Sequence, residues 1–232
     1  MGAMITPGLQ TITIERQPRY QLEDCAYLGT IVKDPSGFHV SPESPWRTVA
    51  DLVAHARANP GAVSVGTGSI GSDNHLLMLE MERAASIRLN HIPFAGQAPT
   101  VIALLGNHIQ VASMNMGESV ALIRDGRIRP MASAGPERCP MTPDVPTFAE
   151  GGFPLNTGVL RSLVAPAATP APILRRLGAL VAETMRDEAW IPEAERLFVP
   201  LRCRDPAETR ALVFRETETL RAVWAQRPWR DQ

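Results

Sequence analysis

The chain has 232 residues, of which 44% are hydrophobic and 20% charged, and its formal net charge is -1. That length supports one large domain or two small ones with real cores, and the near-neutral balance excludes the basic field that a nucleic-acid or anionic-membrane binder needs. Cys25, Cys139 and Cys203 form no C-x-x-C pair, so they read as isolated buried thiols rather than a zinc site or a disulfide framework.

Met1-Gly2-Ala3-Met4 shows no basic region followed by an apolar run, so no signal peptide is read there. No apolar stretch nears the ~20 residues that span a bilayer. The first clear helix starts at Thr48, with Asp51 in capping-box spacing and Val49, Leu52, Val53 and Ala56 on one face. Asn59-Pro60-Gly61 stops it. A strand over 62–65, a glycine loop over 66–71 and a helix over 72–85 follow. The strand 87–92 leads through Pro93-Phe94-Ala95-Gly96 into a helix ending near Gly106. Then come a strand over 109–114, a helix over 117–124 and a strand over 128–134. Strands separated by helices of this length imply parallel pairing and an α/β fold.

A proline-rich connection covers 139–154, and a strand covers 159–165. Thr169 is expected to cap a long helix with Pro170 and Pro172 in its first turn. Leu174, Leu177, Val181 and Met185 supply its apolar face, with Ile173 and Leu180 beside them. A short strand is expected over 198–201. Asp205-Pro206-Ala207-Glu208 then opens the last helix, whose buried stripe is read as Leu212, Leu220, Val223 and Trp224.

Gly66-Thr67-Gly68-Ser69-Ile70-Gly71 satisfies G-x-G-x-x-G between a strand and a helix, the setting of a dinucleotide site. Such a site wants an acid at the end of the second strand to hold the ribose, and 87–92 contains none. Thr67-Gly68-Ser69-Ile70-Gly71 also falls one residue short of a G-x-S-x-G nucleophile elbow, with no later Asp-to-His order to complete a triad. A third reading needs no catalysis. Backbone N–H groups and the helix dipole can hold a carboxylate, with Thr67, Ser69, Ser72 and Asn74 as side-chain donors. For Ser72 and Asp73, simple helix capping is the competing role.

The order of segments resembles a known family. Asn59 through Leu76, His91-Ile92-Pro93-Phe94-Ala95-Gly96, Gly126-Arg127-Ile128-Arg129-Pro130, Pro143 through Gly151 and Ala165 through Pro170 are similar, in sequence and spacing, to motifs of the tripartite tricarboxylate transporter receptor (Bug) family. The most specific stretch is Pro143-Asp144-Val145-Pro146-Thr147-Phe148-Ala149-Glu150-Gly151. The resemblance runs from about Thr6 to Trp224.

It implies an α/β fold of the periplasmic binding-protein type, with two lobes of parallel or mixed sheet flanked by helices. Residues 41–162 would form the second lobe, and 1–40 with 163–232 the first, shortened at its N-terminus. It implies a periplasmic binder, not an enzyme, that captures a small carboxylate (a di- or tricarboxylate, an amino acid or an aromatic acid) between the lobes and passes it to membrane permease subunits. No cofactor or metal is expected. The alternative is an enzyme using the Gly66–Gly71 loop for a nucleotide cofactor or acyl substrate. The expected ligand-binding residues are Thr6, Pro7, Gly66, Thr67, Gly68, Ser69, Ser72, Asp73, Asn74, Phe94, Ser113 and Asn115. Phe94 stands where the family usually has Tyr, which removes a hydroxyl. The opening family strand with its ligand loop is not found, so the first lobe is expected to be incomplete and either to self-associate, as a homodimer through that lobe, or to be rearranged.

Overall fold

A computed structural model describes residues 1–16 and 18–230. The chain divides into two compact units: Met1–Lys33 with the chain from Val159 onward, and Asp34–Gly158.

The first unit opens with β1 (Gly2–Thr6) and α1 (Gly8–Glu15), and a single 3-10 turn (Leu22–Asp24) leads into β2 (Cys25–Val40). β2 is long enough that its first half serves this unit and its second half the other. Later chain adds β7 (Gly158–Pro166), α6 (Ala171–Thr184), α7 (Trp190–Arg196), β8 (Leu201–Arg204) and α8 (Pro206–Gln226). The strand order is β1-β7-β2-β8. β1 runs antiparallel to β7, from Gly2 opposite Val164 to Thr6 opposite Leu160, so the edge of β7 is covered by residues to which the sequence assigned no element. Met4, Leu22, Tyr27 and Val213 form one core cluster, and Leu28, Ala165, Val181 and Met185 another. The buried Gln10 amide donates from α1 to the Val213 carbonyl at 2.8 Å and to Thr217 Oγ1 at 3.0 Å.

Four expectations for this unit are corrected. Thr169 does not cap α6; Pro170, with an extended ψ of 136°, holds that place without a side-chain cap. Ile173 and Leu180 face solvent, while Val181 and Met185 are buried. The strand expected at 198–201 begins only at Leu201, since Phe198 adopts a left-handed φ of 55° where α7 ends. The α8 capping box between Asp205 and Glu208 forms as expected. Its most buried stripe is Thr209, Val213 and Thr217 at helical spacing, with Leu212, Leu220, Val223 and Trp224 only half-buried. Hydroxyls near the sheet explain the shift, because Thr30 Oγ1 meets Thr209 Oγ1 at 3.0 Å.

The second unit contains the end of β2, α2 (Val49–Ala58), β3 (Ser64–Thr67), α3 (Asp73–Ala85), β4 (Asn90–Pro93), α4 (Gln97–Leu105), β5 (Val111–Asn115), α5 (Met116–Arg124) and β6 (Arg129–Ser133). β3 lies between β4 and β5 and is parallel to both. β2 runs antiparallel to β5 and to β6. The sheet is therefore mixed, with order β6-β2-β5-β3-β4. The capping box of Thr48 and Asp51 starts α2, and Leu52 and Ala56 are fully enclosed. Met114, Met116 and Phe38 fill the core, and Phe38 meets Phe148 edge-on at 5.2 Å.

Candidate functional site: the glycine loop of the second unit

β3 ends at Thr67 and α3 begins after Ser72, so the glycine loop lies at the C-terminal end of parallel strands, where α/β folds bind ligands. Gly66 is demanded by packing. A Cβ there would lie 2.4 Å from Ile109 Cδ1 and 3.1 Å from the Phe94 ring. Gly68 faces the Gly96–Gln97 backbone at 3.5–3.6 Å, ordinary contact distance for a Cβ. The path beyond is pinned to the strand end of β4: Phe94 N–H donates to the Thr67 carbonyl at 2.8 Å and Gly96 N–H to the Gly68 carbonyl at 2.7 Å. Gly71 has a φ of 73°, the left-handed region that glycine adopts without strain.

The polar groups then separate into an inward and an outward set. Asp73, Asn74, Ser113 and Asn115 are all buried. Asp73 Oδ2 accepts from Ser36 Oγ at 2.7 Å and from Asn115 Nδ2 at 2.6 Å. Asn74 Nδ2 donates to Asn115 Oδ1 at 3.3 Å, and Ser113 Oγ donates to the Asn74 carbonyl at 2.8 Å. Asp34 joins from β2, its carboxylate accepting the Gly117 N–H at the start of α5 at 2.8 Å. Burial pushes the Asp73 carboxyl up, and the hydrogen bonds from Ser36 and Asn115 pull it partly back.

The outward set is smaller. Ser69 and Ile70 are exposed, and among the described residues no acceptor takes their N–H groups. Ser72 Oγ is already engaged, donating to the Ser69 carbonyl at 2.8 Å and accepting from His75 N–H at 3.3 Å, so Ser72 is the N-cap of α3. Thr67 is fully enclosed, with its hydroxyl 2.7 Å from His91 Nε2. Phe94 is half-buried against the cluster of Ala103, Leu104 and Ile109. Thr6 and Pro7 belong to the first unit, and Thr6 is buried there.

Residues the sequence did not single out complete the arrangement. His75 and His91 stack face to face, centroids 3.9 Å apart and planes 8° from parallel. Ser36 and Asp34 come from β2, and no spacing in the chain points to their meeting Asp73 or Gly117. Among the described residues no group of His, Cys, Asp or Glu side chains is gathered to hold a metal ion. Cys25, Cys139 and Cys203 are free thiols; Cys139 is buried as expected, but Cys25 is half-buried and Cys203 is exposed on β8 beside the equally exposed Arg202.

A mixed α/β chain with its loop at the strand ends has the fold of periplasmic binding proteins. A solute-binding protein of the same transporter class from Polaromonas superposes with a TM-score of 0.83 at 25% identity, covering 97% of this chain and 77% of that one. A protein from R. palustris solved with adipate superposes with a TM-score of 0.78 at 25% identity, covering 87% and 68%. The chain belongs to the tripartite tricarboxylate transporter receptor family, whose model matches residues 8–195. Protein BugT of Bordetella pertussis is 28% identical over 175 residues, 75% of this chain and 54% of that protein. The chain spans about half the length of the curated relatives it matches.

Proposed function

We propose that this protein is a periplasmic receptor that binds a small carboxylate and hands it to the membrane permease subunits of a tripartite tricarboxylate-type transporter. The observation that carries the reading is the pair of unclaimed amides at Ser69 and Ile70, exposed beside the Ser69 hydroxyl at the strand ends. Two N–H groups and a hydroxyl are the donors a carboxylate needs, and the nearby helix start adds partial positive charge. Membership in the receptor family and a solved neighbour holding adipate support the same ligand class. Among the expected ligand residues, Ser69 and the backbone of Gly68 are the contacts proposed for this unit, and the backbone of Ile70, which was not expected, is added to them. Asp73, Asn74, Ser113 and Asn115 shape the loop from behind, because most of their polar atoms, Asn74 Oδ1 excepted, are shared with one another. Thr6 and Pro7 remain proposed contacts from the first unit.

The test is a thermal-shift panel of dicarboxylates, tricarboxylates, amino acids and aromatic acids, with NAD and ATP as controls. A ligand at 100 times its Kd adds ~2.7 kcal/mol to native stability. A rise in Tm with a carboxylate and none with the nucleotides is expected. A rise with NAD or ATP alone would replace the reading with the nucleotide-enzyme alternative.

A further inference from the structure

We propose that His75 and His91 are positioning residues that set the conformation of the Ser69–Ile70 loop from its buried side. The inference rests on the reading of that loop as the carboxylate site. His75 is fully enclosed and His91 half-buried, and their rings stack at 3.9 Å. Each ring holds one side of the loop. Gly71 N–H donates to His75 Nδ1 at 3.1 Å. His91 Nε2 lies 2.7 Å from Thr67 Oγ1, and that hydroxyl donates in turn to the Ser69 carbonyl at 3.4 Å. The exposed Ser69 and Ile70 are thus suspended between two anchors fixed to one stacked pair.

The Gly71 anchor works only with a neutral His75. A ring nitrogen that accepts Gly71 N–H must present a lone pair, so His75 carries its hydrogen on Nε2. His91 keeps its Nε2–H donor in either protonation state, but charging both rings would set two cations 3.9 Å apart with little water to screen them. A phenyl ring preserves the stack but provides neither acceptor nor donor. His75→Phe should therefore release Gly71, and His91→Phe should release Thr67 and with it the Ser69 carbonyl. Asn at position 75 restores an acceptor, and Gln at position 91 restores a donor.

Two measurements test this. In the unaltered protein, the ring ¹⁵N shifts of His75 should show Nδ1 bare and Nε2 protonated. In the variants, amide exchange at Gly71 and Ser72, whose N–H groups donate to His75 Nδ1 and to the Ser69 carbonyl, and the Kd for adipate should both be read. Both Phe variants should speed exchange and weaken adipate binding by about tenfold, the scale of one lost ordering hydrogen bond. His75→Asn and His91→Gln should recover most of each loss. His75 protonated on Nδ1, or Phe variants with unaltered exchange, would overturn the proposal. Should the unaltered protein not bind adipate, the ligand reading fails for that acid, and the ring shifts and exchange rates still decide the positioning role.

Discussion

Asn115 Nδ2 donates to Asp73 Oδ2 at 2.6 Å with both side chains buried. The bond joins the end of β5 to the first turn of α3, and Ser36 on β2 adds a second donor to the same oxygen. A carboxylate in such a place costs desolvation, which the two short hydrogen bonds offset in part. The amide of Asn115 is spent in the process. Its Oδ1 accepts from Asn74, and its Nδ2 also lies 3.3 Å from the Asp34 carbonyl.

Asn115→Ala should accordingly destabilise the second unit. It leaves Asp73 with one side-chain donor and Asn74 Nδ2 without its acceptor. A loss of about 2 kcal/mol is expected, the range for an orphaned buried polar group. Urea denaturation reads it. A midpoint equal to that of the unaltered protein would show that the network carries no net stability.

Acid should weaken the fold before the carboxylates protonate. His39 is fully enclosed, and burial holds its pKa down to about 4. The unfolded chain takes up a proton near the ordinary value of ~6.5, so between these limits it binds more protons than the folded one. Stability then falls as pH drops from 6.5 to 4 and is unaffected by this group above that window. The difference is roughly 3 kcal/mol. His91, also lowered to about 4 by burial, acts in the same direction. Asp73 acts oppositely, since its raised carboxyl is protonated in the fold before it is in the unfolded chain. Denaturation midpoints across pH 7 to 4 should slope downward, and His39→Gln should flatten the slope. An unchanged slope in that variant would place the acid sensitivity elsewhere.

Gly66 and Gly68 should respond differently to a methyl group. Gly66→Ala drives a Cβ against Ile109 Cδ1 at 2.4 Å, overpacking that costs about 1–3 kcal/mol. Gly68→Ala meets only ordinary contacts at 3.5 Å and beyond, so its melting temperature should stay within the error of measurement. Equal losses at the two positions would contradict the packing described.

Ligand affinity should depend weakly on ionic strength. Residues 66–72 contain no Lys or Arg, so the carboxylate would be held by dipoles and hydrogen bonds rather than by a long-range cation. Titrations at low and high salt measure this. A steep decline would reveal an arginine or lysine anchor outside the loop.

β1 ends the strand order of the first unit, with Ile5 half exposed. An outer edge of this kind accepts another strand, and a symmetric pair of chains is the expected product. Light scattering at micromolar concentration should give twice the chain mass, and Ile5→Lys should restore the monomer. A monomer throughout would dispose of the dimer expected from the sequence.

Local chemistry by itself determined several elements in both units. The capping pairs Thr48–Asp51 and Asp205–Glu208 act within one turn, and the stop at Asn59-Pro60-Gly61 needs no distant partner. The glycine loop and its setting between a strand and a helix were legible for the same reason, as were the family motifs around it. Only the tertiary structure decided what the loop's polar neighbours do. Asp73, Asn74 and Asn115 read in sequence as donors or caps near a ligand, yet they bond to one another and to Ser36 and Asp34, partners 37 to 81 residues away along the chain. β2 was unreadable for a related reason. It carries Pro35 and Gly37, residues of turns, and it is a strand because β5 and β6 pair with it on either side. A side chain's direction and a strand's ladder both depend on partners remote in sequence, and those partners are assigned only when the chain packs.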